Sequence, residues 1–297
     1  MKVLVTGASG LVGSALVPFL TGRGHQVVRL VRAEPRGEDE VRWDAAAGEI
    51  DAARLEGLDA VVHLAGESIA GRWSAARKER ILDSRVAGTR VLAETLAGLQ
   101  RPPGVLVSSS AVGYYGDRGD ETLTEDSSSG SLFLSEVCRQ WEAATEPAAR
   151  KGIRVVILRT APVLAAAGGP LAQMLLPFRL GLGGPIGGGK QYFPWIAIDD
   201  IAGAYHHALT AESLSGPVNA VAPGQVTNRE FTKTLGRVLG RPSVFPLPAF
   251  AARLALGEMA RELLLASARV EPAKLVASGY KFAFPELESA LRRLLGK

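Results

Sequence analysis

Short apolar runs alternate with helical stripes along most of this chain. Lys2-Val3-Leu4-Val5-Thr6 empties straight into Gly7-Ala8-Ser9-Gly10-Leu11-Val12-Gly13. Behind it Leu11, Val12, Ala15, Leu16, Phe19 and Leu20 recur at helical spacing, which predicts a strand, a tight glycine turn and a helix. Gly24 is the expected end of that helix, and His25-Gln26-Val27-Val28-Arg29-Leu30-Val31-Arg32 predicts a second strand. Val41-Arg42-Trp43-Asp44 predicts a short third strand, and Asp59-Ala60-Val61-Val62-His63-Leu64-Ala65-Gly66 a buried fourth that ends in small residues. Residues 75–99 carry the helical period. Gly104-Val105-Leu106-Val107 is a fifth strand running into Ser108-Ser109-Ser110, and Ile153-Arg154-Val155-Val156-Ile157-Leu158-Arg159 is a sixth.

Past the sixth strand the pattern loosens. A helix is expected near 171–180, then a glycine-rich stretch over 181–189 ending at Lys190. That stretch is no Walker loop, because Gln191-Tyr192-Phe193-Pro194 follows the lysine where Ser or Thr and a helix are needed, so it reads as a turn or flap. Asp199 and Asp200 are expected to cap a helix over 201–209. Val218-Asn219-Ala220-Val221 returns a strand to the sheet, and Thr227 caps a helix from Asn228. Strands alternating with helices predict an α/β doubly wound parallel sheet of the Rossmann type, with a smaller C-terminal substrate lobe. The nucleotide-binding domain is assigned to 1–165, completed by about 191–225, and the lobe to 166–190 and 226–297.

The glycine turn carries the first chemical expectation. Gly7 permits backbone angles that a side chain forbids, Gly10 leaves room for a phosphate, and Gly13 lets the helix pack close to the strand. The helix N-terminus then offers N–H groups to an anion, so the main chain from Gly7 through Ser9, Gly10, Leu11, Val12 and Gly13 is the expected dinucleotide cradle. About 20 residues beyond the glycines an acid would receive a ribose hydroxyl, whereas a basic residue accommodates a 2′-phosphate. Arg32 stands there, with Arg36 nearby and no acid before Glu34, so NADP(H) is preferred over NAD(H). Asp44 is placed to meet the adenine. Leu64, Ala65, Gly66 and Ser108, at strand ends, line the path of the cofactor, while His63 inside its strand reads as a satisfied core histidine.

Composition narrows the class. Hydrophobic residues make up 47% of the 297, enough for a sizeable core. No apolar run approaches the roughly 20 residues of a membrane span, and the first strand starts almost at Met1, so a cytoplasmic protein without a targeting segment is expected. Cys138 is the sole cysteine, which excludes an intramolecular disulfide, and no Cys/His cluster has metal-ligand spacing. The net charge of +4 comes from scattered arginines. That points to a small anionic ligand, not to nucleic acid or membrane. Monomer and homodimer both stay open.

Several of these stretches resemble the extended short-chain dehydrogenase/reductases, the nucleotide-sugar epimerase/dehydratase group. They are the glycine turn, His63-Leu64-Ala65-Gly66, the run from Ser108-Ser109-Ser110 to Tyr115-Gly116-Asp117, Arg159, and Trp195-Ile196-x-Ile198-Asp199-Asp200. Others are similar to an atypical, epimerase-like branch: Gly66-Glu67-Ser68-Ile69-Ala70-x-Arg72-Trp73, Ser84-Arg85-Val86, Trp141-Glu142-Ala143-Ala144, and the C-terminal run from Ser267 to Phe282. The likeness spans essentially the whole chain.

One departure outweighs the matches. The resemblance implies a Tyr-x-x-x-Lys pair on the helix after the serine strand, with an acid one turn beyond the lysine. If Glu142 takes the place of the acid, the tyrosine position falls on Leu134 and the lysine position on Cys138. Leucine has no proton to give and a buried thiol is mostly neutral. Such proton transfer typically contributes about 10²–10⁴-fold, so turnover of the family type requires another acid. Tyr114 and Tyr115 are the first candidates by chain position, followed by Glu67 and Arg72. Ser110 is the residue expected to touch a substrate. Lys190, Gln191 and Trp195 are further candidates to face it. Two readings follow: an epimerase-like or reductase-like enzyme acting on a nucleotide sugar or small carbonyl compound, or a cofactor-binding protein with little or no turnover that senses NADPH or supports a partner.

Overall fold

The computed structural model describes residues 1–45 and 47–297. Its centre is an eight-stranded sheet, and every pairing in it is parallel except the last. In chain order its strands are β1 (Lys2–Thr6), β2 (Gln26–Val31), β3 (Glu40–Asp44), β4 (Glu49–Ile50), β5 (Ala60–His63), β6 (Val105–Ala111), β8 (Arg154–Thr160) and β11 (Gly216–Ala220). In space they run β11-β8-β6-β5-β1-β2-β3-β4, so the order reverses between β1 and β5. Open α/β sheets bind ligands in the crevice that such a reversal opens at the carboxyl ends of the strands.

Alternation along the strands explains why both faces are covered. Val3 and Val5 enter one core cluster while Leu4 enters another, and Val105 and Val107 are divided from Leu106 in the same way. Helices α1 (Leu11–Thr21) and α6 (Ile198–Thr210) pack together on the first face. On the second, α2 (Ala75–Gly98) packs against α3 (Phe133–Ala143) and α4 (Glu146–Arg150).

The remaining chain forms a smaller body around Leu171, Phe178, Trp195, Phe231, Leu235 and Leu291. It contains α5 (Gly169–Arg179), α7 (Asn228–Leu239) and α10 (Leu287–Leu295). Two minor parallel pairs stitch it to the sheet. One joins β7 (Thr122–Leu123) to β12 (Arg269–Val270), and the other joins β9 (Val163–Leu164) to β10 (Ile196–Ala197). Helix α8 (Ala249–Leu256) leads into a π-helical turn over Ala260–Leu265, and α9 (Ala273–Ala277) packs under β11.

Two local expectations are corrected, and one short strand is added. The first helix stops at Thr21 and is closed by Gly22, while Gly24, with φ of +81°, serves the turn into β2. The acids Asp199 and Asp200 lie inside the first turn of α6 and are not its N-cap. Its N-cap is Ala197, and the buried Asp200 carboxylate instead accepts the N–H groups of Ala283 and Phe284, at 2.7 and 3.0 Å, tying the C-terminal segment to the sheet. A two-residue antiparallel strand, β4, pairs with β3, too short to leave a pattern in the sequence. Thr227 caps α7 as expected, in a reciprocal box with Glu230.

Candidate functional site

The glycine turn has the geometry of a phosphate cradle. Gly7 sits at φ of +64°, and a β-carbon there would stand 2.9 Å from the Leu64 carbonyl carbon. One at Gly13 would stand 2.3 Å from the Gly7 oxygen, so no side chain fits at either place. No side chain caps α1, which leaves its first N–H groups to meet an anion. Leu11 and Val12 lie in that first turn.

The floor beside the cradle is shaped by a buried network. Thr6 Oγ1 accepts the N–H groups of Leu64 and Ala65, at 3.0 and 3.1 Å, and lies 2.8 Å from His63 Nδ1. With both lone pairs of that oxygen engaged, its proton goes to Nδ1, which leaves the His63 Nε2–H to donate to Thr89 Oγ1 at 3.0 Å. Burial holds His63 at a pKa of about 4, hence neutral. It is a core residue, and its work is to fix the exit of β5 over which Leu64, Ala65 and Gly66 run.

At the end of β2, Arg32 is exposed and, among the described residues, forms no ion pair. The nearby Glu34 is engaged by Arg42. The β2 end therefore presents positive charge, as a 2′-phosphate requires. Asp44, at the end of β3, accepts the Ala47 N–H at 3.1 Å and so shapes the turn into β4.

The serine strand leads into a buried chain of polar groups. Ser108 is buried, with its hydroxyl 3.4 Å from the Ser109 carbonyl, and Ser109 bonds Tyr205. Ser110 Oγ donates to Glu142 at 2.7 Å. Glu142 takes Arg159 Nε and Nη2, each at 2.9 Å, and Arg159 Nη1 donates to the Tyr115 hydroxyl at 3.1 Å. Tyr115 in turn donates to Asn219 Oδ1 at 2.7 Å. Burial opposes the Arg159 charge, but the Glu142 contacts outweigh it and hold the guanidinium above its ordinary pKa. Burial likewise raises the Tyr115 phenol, with Arg159 pulling the other way.

Tyr115 is fully buried, and its hydroxyl serves this network. Tyr114 differs. It is half-buried, Arg159 lies 3.5 Å from its ring centre, and its hydroxyl has no hydrogen-bond partner among the described residues.

Helix α3 carries Leu134, Cys138 and Glu142 at four-residue steps on one buried face. Leu134 packs in a cluster with Trp73, Ile81, Val137 and Met259. Burial and the Glu142 carboxylate push the Cys138 thiol up to about 11, and its sulfur lies 3.6 Å from the Ala111 carbonyl.

The candidate substrate residues have these surroundings. Trp195 is completely buried in the smaller body, its indole N–H donating to the Gly224 carbonyl, and it lines a small pocket there with Tyr192, Phe193 and Arg269. Gln191 donates both amide protons, to the carbonyls of Ile186 and Leu264, and braces the glycine-rich turn. Arg72 reaches the Leu254 carbonyl at 3.3 Å, and Lys190 is exposed. Glu67 is half-buried beside α2, its N–H donating to Ser84 Oγ.

Sequence reasoning missed two features. Thr6 orders the β5 exit through contacts nearly 60 positions away. Glu262 accepts the N–H groups of Phe133 and Leu134, at 3.0 and 2.9 Å, and so caps α3 from 128 positions away, where no local signal exists. Among the described residues, no group of acids, histidines and cysteines has the arrangement of a metal site, and no helix is long and apolar enough to cross a membrane.

Comparison with known proteins agrees with this geometry. The profile of the NAD dependent epimerase/dehydratase family matches residues 3–221, and that of a domain of unknown function, DUF1731, matches 247–294. An epimerase family protein of Mycobacterium bovis is 43% identical over 97% of this chain and 96% of its own length. The crystal structure of human epimerase family protein SDR39U1 with NADPH superposes at a TM-score of 0.90, 39% identical, over 100% of both chains. That of a nucleoside-diphosphate sugar epimerase from Corynebacterium glutamicum superposes at 0.84, 40% identical, over 100% of this chain and 58% of the other. The chain described here belongs to the NAD-dependent epimerase/dehydratase family.

Proposed function

We propose that this protein holds NADP(H) in the crevice at the carboxyl ends of β1, β2, β5 and β6, and works as a cofactor-binding protein with little or no turnover of its own. The observation that carries the reading is the face of α3. Leu134 and Cys138 form a packed apolar wall there, with a neutral thiol, where a proton-relaying pair is needed. Bound NADPH supplies a hydride; this chain supplies a cradle at Gly7, Gly10 and Gly13, a cation at Arg32, and, at the serine strand, hydroxyls that are already engaged. Ser110 and Tyr115 both donate within the protein. NADP(H) is preferred because the β2 end is positive, and the human relative, matched over its full length, was crystallised with NADPH.

Tyr114 supports a second reading. Its hydroxyl lacks a partner among the described residues and Arg159 lies over its ring, an arrangement suited to giving a proton to a small carbonyl compound or nucleotide sugar. One experiment separates the two. The protein is mixed with NADPH and a panel of nucleotide sugars and carbonyl compounds, and absorbance at the nicotinamide band is followed. A flat trace, with NADPH still raising the melting temperature, is expected. Cofactor oxidation that disappears in Tyr114→Phe establishes the enzyme reading instead.

A further inference from the structure

Three sequence stretches that the site above leaves unused meet in space. Arg85, on α2, lays its guanidinium against the backbone at Gly66: a β-carbon there would stand 3.3 Å from the guanidinium carbon. The same carbon is 5.1 Å from the ring centre of Trp141 on α3. Arg85 Nη1 donates to the Ile81 carbonyl, and among the described residues the guanidinium forms no ion pair. Burial works against its charge, while the Cys138 and Glu67 groups nearby favour it. The Trp141 indole N–H is buried and has no hydrogen-bond partner among the described residues. An orphaned buried donor costs about 1–3 kcal/mol and calls for an acceptor.

The position of this pair in the sheet says which acceptor. The order β2-β1-β5-β6 sets Arg32 at the end of β2, the glycine cradle after β1, and Gly66 beyond the end of β5. A dinucleotide with its 2′-phosphate at Arg32 and its pyrophosphate on the cradle carries its other half over β5 and β6. That path passes Gly66, against which Arg85 lies, with Trp141 next to Arg85.

We propose that Arg85 and Trp141 form a subsite for oxygen atoms of the nicotinamide half of the dinucleotide, the ribose hydroxyls foremost. The inference rests on the NADP(H) reading and deepens it. Arg85 brings the fixed positive charge that Cys138, a neutral thiol on the neighbouring helix, cannot bring.

The test compares two ligands by titration calorimetry. NADPH spans the whole path, whereas adenosine 2′,5′-bisphosphate reaches only Arg32 and the cradle. Charged hydrogen bonds are worth about 1.5–3 kcal/mol, so Arg85→Ala is expected to weaken NADPH by roughly tenfold to a hundredfold. Its affinity for the bisphosphate should stay within about twofold of wild type, a margin well below one lost hydrogen bond. Arg85→Lys should lie between. Trp141→Phe, which keeps the ring and removes the N–H, should weaken NADPH alone, and it tests the subsite even if Arg85→Ala does not fold. Unchanged NADPH affinity in Arg85→Ala and Trp141→Phe overturns the inference, as does an equal loss for both ligands, which would mark Arg85 as a structural support. Wild-type protein that binds neither ligand overturns the NADP(H) reading itself.

Discussion

Glu142 grips Arg159 through both carboxylate oxygens, Nε and Nη2 each donating over 2.9 Å, and the pair lies between Ser110 and Tyr115 inside the protein. Only 3% of the Arg159 side chain and 11% of that of Glu142 meet solvent. The arrangement joins β6, α3, β8 and β11. Ser110 faces Arg159 across the β6–β8 pairing, so strand register delivers the serine to the ion pair.

Breaking this pair leaves a buried charge alone. Glu142→Leu is expected to lower stability by about 3–5 kcal/mol, and the double variant Glu142→Leu/Arg159→Met to recover part of that loss, because uncompensated charge costs more than an apolar replacement. Denaturant unfolding of wild type, Glu142→Leu, Arg159→Met and the double variant measures it. A double variant that loses the sum of both single losses would show that the network stabilises through its hydrogen bonds and not through charge balance.

Cys138 should be inert in the folded protein. With a pKa of about 11, roughly 0.1% of it is thiolate at pH 8, against about a quarter of an ordinary thiol. Alkylation by iodoacetamide at pH 8 is expected to run at least about a hundredfold slower than for glutathione, and to become ordinary in denaturant. Fast labelling of the native protein would contradict the burial described here.

How far the sequence disclosed this arrangement depended on distance along the chain. The glycine turn was legible because strand, turn and helix are contiguous, and the change at Leu134 and Cys138 followed from counting back from Glu142 along one helix. Tyr114 and Tyr115 were indistinguishable. Adjacent residues point in different directions, and only the packing shows which hydroxyl is enclosed. Trp195 was a candidate to face the substrate, and the Gly224 carbonyl that accepts its N–H returns from a later segment. Asp200 looked like a cap because it stands at the start of a helical stretch, and its partners lie 83 and 84 positions onward. Arg85 stood in a string already noticed. Nothing local to that string placed it against Gly66 and Trp141.

His63 makes stability depend on pH in a defined direction. Its pKa falls from 6.5 in an unfolded chain to about 4 when folded, so between those values the unfolded state binds the extra proton. Stability is complete above pH 6.5 and is lost as pH falls toward 4, by up to about 3 kcal/mol from this group. Half-buried His206 and His207, also lowered by desolvation, act in the same direction. His63→Gln should therefore flatten, without abolishing, the fall in unfolding free energy between pH 6.5 and 4. An unchanged slope would mean that His63 is protonated in the native protein.

Glu262 holds the C-terminal segment to α3. Its carboxylate meets two N–H groups of the first turn, a favourable place for negative charge, so Glu262→Ala is expected to cost about 1–2 kcal/mol. The loss should be local first. Limited proteolysis should cut near the π-helical turn, Ala260–Leu265, faster in the variant than in wild type. Cutting at equal rates would place the anchor of this segment elsewhere, at the Lys78–Glu258 ion pair or the β7–β12 pairing.

Under the proposed function, the positive end of β2 and the first turn of α1, which no side chain caps, together hold a phosphorylated dinucleotide. Calorimetric titration of wild-type protein and Arg32→Asp with NADPH and NADH addresses both at once. Wild type should take up NADPH more tightly than NADH, and Arg32→Asp should lose its grip on NADPH while changing little toward NADH. Absence of heat from either nucleotide at millimolar concentration, or equal losses for both in Arg32→Asp, would contradict it.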